Sequence, residues 1–141
     1  MFSSFMKPRH ILAAAAILTA GTLLPGPLPR AAADDVRPVT TAKLPNVPGK
    51  SITAIVVNYA PGAKSVKHRH AGSVLAYVLS GEIRSENSAT GPARVYKAGE
   101  TFFEPPGSEH LVSENASATE PASLLAIFVA DDGAQLTIGA K

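Results

Sequence analysis

An all-β domain is the fold class this sequence predicts, and three observations predict it. Short apolar runs recur along the chain, each closed by a Gly or Pro turn. β-branched residues fill those runs. No window after residue 33 repeats apolar residues at i, i+3, i+4 and i+7 over three helical turns.

The first 33 residues stand apart. Lys7, Arg9 and His10 make a basic start, Ile11 to Leu24 an apolar run, and Ala31, Ala32 and Ala33 a small-residue cleavage site before Asp34. Residues 1–33 are therefore expected to be a secretory signal peptide, and the mature protein to be exported, periplasmic or secreted. Gly21, Pro25, Gly26, Pro27 and Pro29 interrupt the segment before it reaches the ~20 apolar residues of a spanning helix, so no stable membrane span is expected after cleavage. The leader holds three of the 13 basic residues and none of the 11 acids, which turns the net charge from +2 to −1 once it is gone. No basic stripe with interleaved aromatics remains, and nucleic-acid binding is excluded on that ground.

Residues 34–50, with Pro38, Pro45 and Pro48, suit an N-terminal arm or edge strand followed by a turn. Residues 51–141 form the single domain. Ser51 to Tyr59 is a strand rich in Ile, Val and Thr that stops at Pro61-Gly62. Val74 to Leu79 and Ile83 to Glu86 flank Ser80-Gly81-Glu82 and are expected to form a hairpin. Short strands follow at Arg94 to Lys97, Thr101 to Glu104, Glu109 to Ser113 and Ser123 to Ala130, before a tail with Leu136 and Ile138. Asn115-Ala116-Ser117 matches the N-glycosylation triplet, a pattern common by chance.

The chain has no cysteine, so no disulfide staples it and thiolate chemistry is absent. Imidazole and carboxylate remain. His68 and His70 are two apart, which on an extended strand puts both rings on one face, close enough to share an ion. His110 follows a Pro-Pro-Gly turn that can bring its strand back beside them. Neutral imidazoles suit a divalent transition metal: Fe(II), Mn(II), Ni(II), Cu(II) or Zn(II).

These residues carry a specific resemblance. The stretch Gly62 to Gly81 resembles the first cupin motif, G-x5-H-x-H-x3-E-x6-G, matching at Gly62, His68, His70 and Gly81 and departing at Val74, which stands in the glutamate's place. Gly99 to Glu114 resembles the second, G-x5-P-x-G-x2-H-x3-N, matching at Gly99, Pro105, Gly107 and His110, with Glu114 in the asparagine's place and Asn115 after it. The resemblance implies an eight-stranded, cupin-type jelly-roll β-barrel with His68, His70 and His110 as metal ligands. Cupins commonly pair through sheet edges, and the proline-spaced arm at Asp34 to Pro48 can reach a neighbour, so a further reading is a subunit whose main role is association, a homodimer.

In the family the glutamate is commonly a fourth ligand, so Val74 leaves a neutral three-histidine face with open positions. Glu104 is the candidate for a replacement ligand or a general acid/base, as an inward-facing residue before the Pro-Pro turn, although a rim position also fits its sequence context. Glu109 should point the opposite way to His110 and lie outside. The inner face is expected to continue through Val74, Ala76 and Val78, with members of the set Tyr59, Phe102, Phe103, Leu125 and Ile127 around it, favouring a compact, partly hydrophobic ligand over a polyanion. Two functions fit these features. One is metal-dependent chemistry on a small organic molecule, dioxygenase-like first and isomerase or hydrolase next. The other is a non-catalytic module that binds a small ligand beside a degenerate metal site.

Overall fold

The computed structural model describes residues 35–139 of the 141-residue chain, and the expected leader lies outside them. Ten strands follow in order: β1 (Asp35–Lys43), β2 (Lys50–Tyr59), β3 (His68–His70), β4 (Ser73–Ser80), β5 (Glu82–Asn87), β6 (Gly91–Lys97), β7 (Thr101–Glu104), β8 (Glu109–Asn115), β9 (Ala122–Asp131) and β10 (Thr137–Gly139). They make two antiparallel five-stranded sheets, ordered β1-β2-β9-β4-β7 and β10-β3-β8-β5-β6, the layers of a jelly roll. Two strands beyond the expected eight arise because the Pro-spaced arm adds β1 to one edge and the tail adds β10 to another.

Alternation sets which side chains meet between the sheets. On β4, Val74, Ala76 and Val78 turn inward, and on β9 Leu124, Ala126 and Phe128 do. Phe128, Ile83, Val74 and Val78 are the largest fully buried side chains, each contributing about 1.5–3 kcal/mol of burial. Period two also sorts the aromatic candidates. Phe102 lies inside with Tyr59, while Phe103 is about half exposed and Leu125 and Ile127 lie on the face opposite Leu124 and Ala126.

One expectation fails here. β4 and β5 are not a hairpin: β4 pairs with β7 and β9 in one sheet, β5 with β6 and β8 in the other. Gly81, at φ +68°, hands the chain across between layers, and a Cβ there would sit 2.6 Å from the Pro121 carbonyl oxygen. The actual hairpin is β5–β6, where the Asn87 side chain accepts the Ala89 amide at 3.0 Å.

Two polar residues tie the layers together. Tyr59 on β2 meets Ser113 on β8, hydroxyl to hydroxyl, at 2.8 Å. Asn115 at the end of β8 is 3% exposed, donates to the carbonyls of Ala60 at 3.1 Å and Glu120 at 2.7 Å, and accepts the Ser117 amide at 2.9 Å. It clasps the loop after β2 to the loop before β9, so its burial leaves no polar group unpaired.

Candidate metal centre

The three histidines converge inside the barrel. β3 pairs with β8 so that His68 and His110 are direct cross-strand partners, and His70 follows on the same face of β3. One ring nitrogen from each lies within 4.8 Å of the others. His70 and His110 are buried and His68 is half-buried toward the mouth.

The backbone fixes two of the rings. His68 Nδ1 donates to the Val66 carbonyl at 2.7 Å, and His70 Nδ1 donates to the Leu136 carbonyl at 3.0 Å. A carbonyl only accepts, so each neutral ring carries its proton on Nδ1 and turns an unprotonated Nε2 inward. These two Nε2 atoms are 3.2 Å apart. Two lone pairs at that distance repel unless a proton or a cation lies between them. His110 brings the third nitrogen. Ser85 Oγ contacts its Nε2 at 2.9 Å, while Nδ1 is buried and makes no hydrogen bond. Two facing lone pairs and one buried nitrogen that makes no hydrogen bond are what a trio of metal ligands looks like when carbonyls orient the outer nitrogens. The donor set fits a divalent transition ion.

Burial pushes the His70 imidazole down to about 4, reinforced by His68 and opposed by the Leu136 carbonyl. Burial likewise lowers His110 to about 3, with His68 and His70 adding to the effect. Both rings are neutral at physiological pH, the form that ligates.

Glu104 lies beside the cluster. It is 2% exposed, its Oε2 lies 3.2 Å from His110 Nδ1 and 3.9 Å from His70 Nε2, and Asn87 Nδ2 donates to it at 3.3 Å. Burial raises its carboxyl to about 7, against the smaller pull of Asn87. An ion pair would shift acid and imidazole the other way, so desolvation governs this contact. Glu104 faces inward rather than sitting at the rim, and Glu109 is exposed on the outside.

Both departures from the motifs acquire a structural context. Val74, in the glutamate's place, is the direct cross-strand partner of Glu104, so a carboxylate is present one strand over on the same inner face. On β8, Glu86 pairs with Val112 but Asn87 with His110, leaving Leu111 as an extra residue. That bulge reverses the parity, so Asn115 rather than Glu114 is buried. Sequence spacing missed this because a bulge leaves no periodic signal.

A cavity of about 390 Å³ opens onto the cluster. Its walls include Ile55, Val57, Ala76, Leu124 and Ala126, with Phe128 against the His70 ring at 5.1 Å and Phe102 against His110 at 6.0 Å. No Lys or Arg is among the described residues that line it.

Comparison with known proteins decides the family: the model of the cupin domain matches residues 55–128, more than half of the chain. The protein belongs to the cupin family. Among curated proteins no match is found. Solved structures of similar fold include a conserved protein with a double-stranded β-helix domain from Klebsiella pneumoniae, 24% identical, covering 74% of this chain and 86% of that one at a TM-score of 0.53. The DMSP lyase DddQ from Ruegeria pomeroyi is 21% identical over 63% of this cupin and 43% of its own chain, with a TM-score of 0.54. An oxalate decarboxylase is 29% identical over 62% of this cupin and 23% of its own chain, with a TM-score of 0.53. This cupin thus spans less than half the length of the lyase and of the decarboxylase.

Proposed function

We propose that this cupin holds one divalent transition metal on His68, His70 and His110 and acts on a small, largely apolar organic molecule seated in the cavity. The observation that carries the reading is the pair of inward Nε2 lone pairs 3.2 Å apart beside the buried His110 Nδ1, which makes no hydrogen bond and has Glu104 Oε2 3.2 Å away. When bound, such an ion supplies Lewis acidity or a redox centre with positions left open by Val74. Oxygen insertion leads among reaction classes, with isomerisation or hydrolysis behind it.

The protein's own groups do the rest. Val66 and Leu136 carbonyls hold the His68 and His70 rings in the ligating tautomer. Apolar walls exclude water and orient the ligand. Glu104 is the group that accepts or returns a substrate proton, because it is the one carboxyl lining the cavity among the described residues. Oxalate decarboxylase, by its name, acts on a dicarboxylate; this cavity lacks a cationic side chain to pair with one, which favours a less charged substrate. Export of the mature chain is part of the same proposal and rests on the leader pattern of residues 1–33. N-terminal sequencing of protein recovered outside the cytoplasm tests it, with Asp34 as the expected first residue.

The deciding experiment is metal analysis of protein purified without added metal or a histidine tag, followed by thermal unfolding with added Fe(II), Mn(II) or Zn(II). About one ion per chain is expected. At an ion concentration ~100 times Kd, linkage gives about 2.7 kcal/mol of stabilisation, or roughly 10–20 °C in Tm for a domain of about 100 residues. Replacing all three histidines by Ala should abolish that rise. No bound ion together with no gain in Tm overturns the metal reading. Metal binding without turnover across a panel of small apolar substrates would leave a non-catalytic binding module.

A further inference from the structure

The histidines line the cavity, and a second polar group lies one inward step along β8 from them. Ser113 is the next inward residue after His110. The bulge at Leu111 makes three residues of β8 match two of β5, with His110 opposite Asn87 and Ser113 opposite Ser85. Two residues of extended strand put Ser113 about 7 Å beyond His110. Tyr59 reaches it from β2, hydroxyl to hydroxyl at 2.8 Å, and Ser65, in the loop after β2, has its hydroxyl 3.4 Å from the same phenol oxygen. The Ser65 amide donates to the Ser113 carbonyl at 2.8 Å, which fixes the loop hydroxyl beside the strand. All three side chains line the cavity.

Counting protons shows what this trio lacks. Each hydroxyl carries one proton to donate. Three protons meet two hydrogen bonds, Tyr59 with Ser113 and Tyr59 with Ser65, so one O–H has no acceptor among the described residues. Tyr59 and Ser113 are 3% and 5% exposed, a depth at which an unmet donor costs stability. Burial also pushes the Tyr59 hydroxyl above its ordinary range, against the smaller pull of Ser113 and Ser65, so the phenol stays a donor. The matching acceptor is uncharged. No Lys or Arg lines the cavity among the described residues, and Glu104 stands beside the histidines, so an anionic oxygen would enter without a counter-charge. The walls formed by Ile55, Val57, Leu124 and Ala126 are apolar.

We propose that the cavity takes a neutral molecule with oxygen functions at both ends of a short hydrocarbon chain. One end meets the metal on the histidines, and a carbonyl, ether or hydroxyl oxygen about 7 Å away accepts a hydrogen bond from the trio of Tyr59, Ser65 and Ser113. The inference rests on the metal reading above, since the first end is held by the ion.

Hydroxamic acids, which chelate divalent metals, test it on Zn(II)-loaded protein. Three pairs of them differ only in an acetyl against an isopropyl end: 4-oxopentano- against 4-methylpentanohydroxamic acid, and the pairs one and two carbons longer. Isothermal titration gives each dissociation constant. At one of the three lengths the preference for acetyl over isopropyl should exceed that at the other two by about 3- to 10-fold, the worth of one neutral hydrogen bond. Tyr59→Phe combined with Ser65→Ala and Ser113→Ala removes all three donors and should erase that peak. Deleting every partner together leaves no unmet group, so the triple variant should keep its fold, which circular dichroism and zinc content check. The length peak is read in the unmodified protein and decides the matter if that variant does not fold. Failure of both series to bind overturns the metal reading and this inference with it. Binding without a length-dependent preference, or a preference kept by the folded triple variant, overturns this inference alone.

Discussion

Gly72→Ala is the substitution in which stability and ligand geometry should fail together. Gly72 is buried in the bend between His70 and β4, and it takes no positive φ. What it needs is space: an added Cβ would lie 2.1 Å from the Val129 carbonyl oxygen and 2.7 Å from Ala130 Cβ. Ordinary contact is about 3.5 Å, so the bend and β9 must part by roughly 1.4 Å. Both sides are fixed by the β4–β9 ladder, which holds Ser73 opposite Val129. Forcing atoms into a packed interior costs about 1–3 kcal/mol, and a backbone obstacle puts this case near 3 kcal/mol. With about 4–8 °C per kcal/mol for a domain this small, Tm should fall by roughly 12–24 °C. His70 is two residues upstream, and ligand positions tolerate only about 0.2 Å. Metal affinity should therefore drop about 10- to 100-fold, the range seen when ligand support is lost. Gly107→Ala is the control. Gly107 has φ +72° but nothing within 4 Å of an added Cβ, so it should lose only the left-handed penalty of about 1–2 kcal/mol. Urea unfolding and metal titration of both variants decide the matter. If Gly72→Ala is the milder of the two, or if it binds metal as tightly as the parent, the steric argument is wrong.

Three further outcomes are expected. In metal-free protein, His70 and His110 titrate near 4 and 3 when folded but near 6.5 when unfolded, so the unfolded chain takes up more protons and stability falls as pH drops from about 6.5 toward 4. Glu104 acts in the opposite sense, holding its proton up to about 7 when folded against 4.5 when unfolded, so its contribution is lost as pH rises from about 4.5 through 7; one carboxyl opposes two imidazoles, so the Tm profile should climb from about pH 4 to about pH 7 and level off there. Glu104→Gln removes the opposing carboxyl and should make the climb between about pH 4.5 and 6.5 steeper, and an unchanged slope contradicts the burial of Glu104. Val74→Glu sets two carboxyls side by side on the inner face and should destabilise metal-free protein by about 3 kcal/mol or more at pH 8, whereas Val74→Glu with Glu104→Val should recover all but about 1.5 kcal/mol in urea unfolding. Phe128→Ala should cost about 3–5 kcal/mol by the same measurement, and a loss under 1 kcal/mol would show that its site collapses without cost.

The histidine cluster was legible because each part of its signal is local: the i, i+2 spacing on an extended strand and a Pro-Pro-Gly turn before His110. Inward Val74, Ala76 and Val78 followed from the same period of two. What escaped the sequence depends on partners far along the chain. Val74 meets Glu104 only through the β4–β7 register, thirty residues apart. Gly72 is confined by Val129, on a strand nearly sixty residues later. The hairpin expected across Gly81 failed because a short glycine turn serves equally to reverse a strand within one sheet and to pass it between two. The adjacent Phe102 and Phe103 could not both face inward, and only the pairing of Leu75 with Phe103 settles which does not.

The Asn115-Ala116-Ser117 triplet takes on a definite meaning from the clasp that Asn115 makes. A glycan-transferring enzyme must reach that amide nitrogen on an open loop. In the folded chain the nitrogen is walled in and committed to backbone oxygens of two separate connections. The triplet is therefore closed to sugar attachment once the barrel has formed. A saccharide added to the nascent chain would instead wedge the two connections apart and keep the β-vessel from shutting.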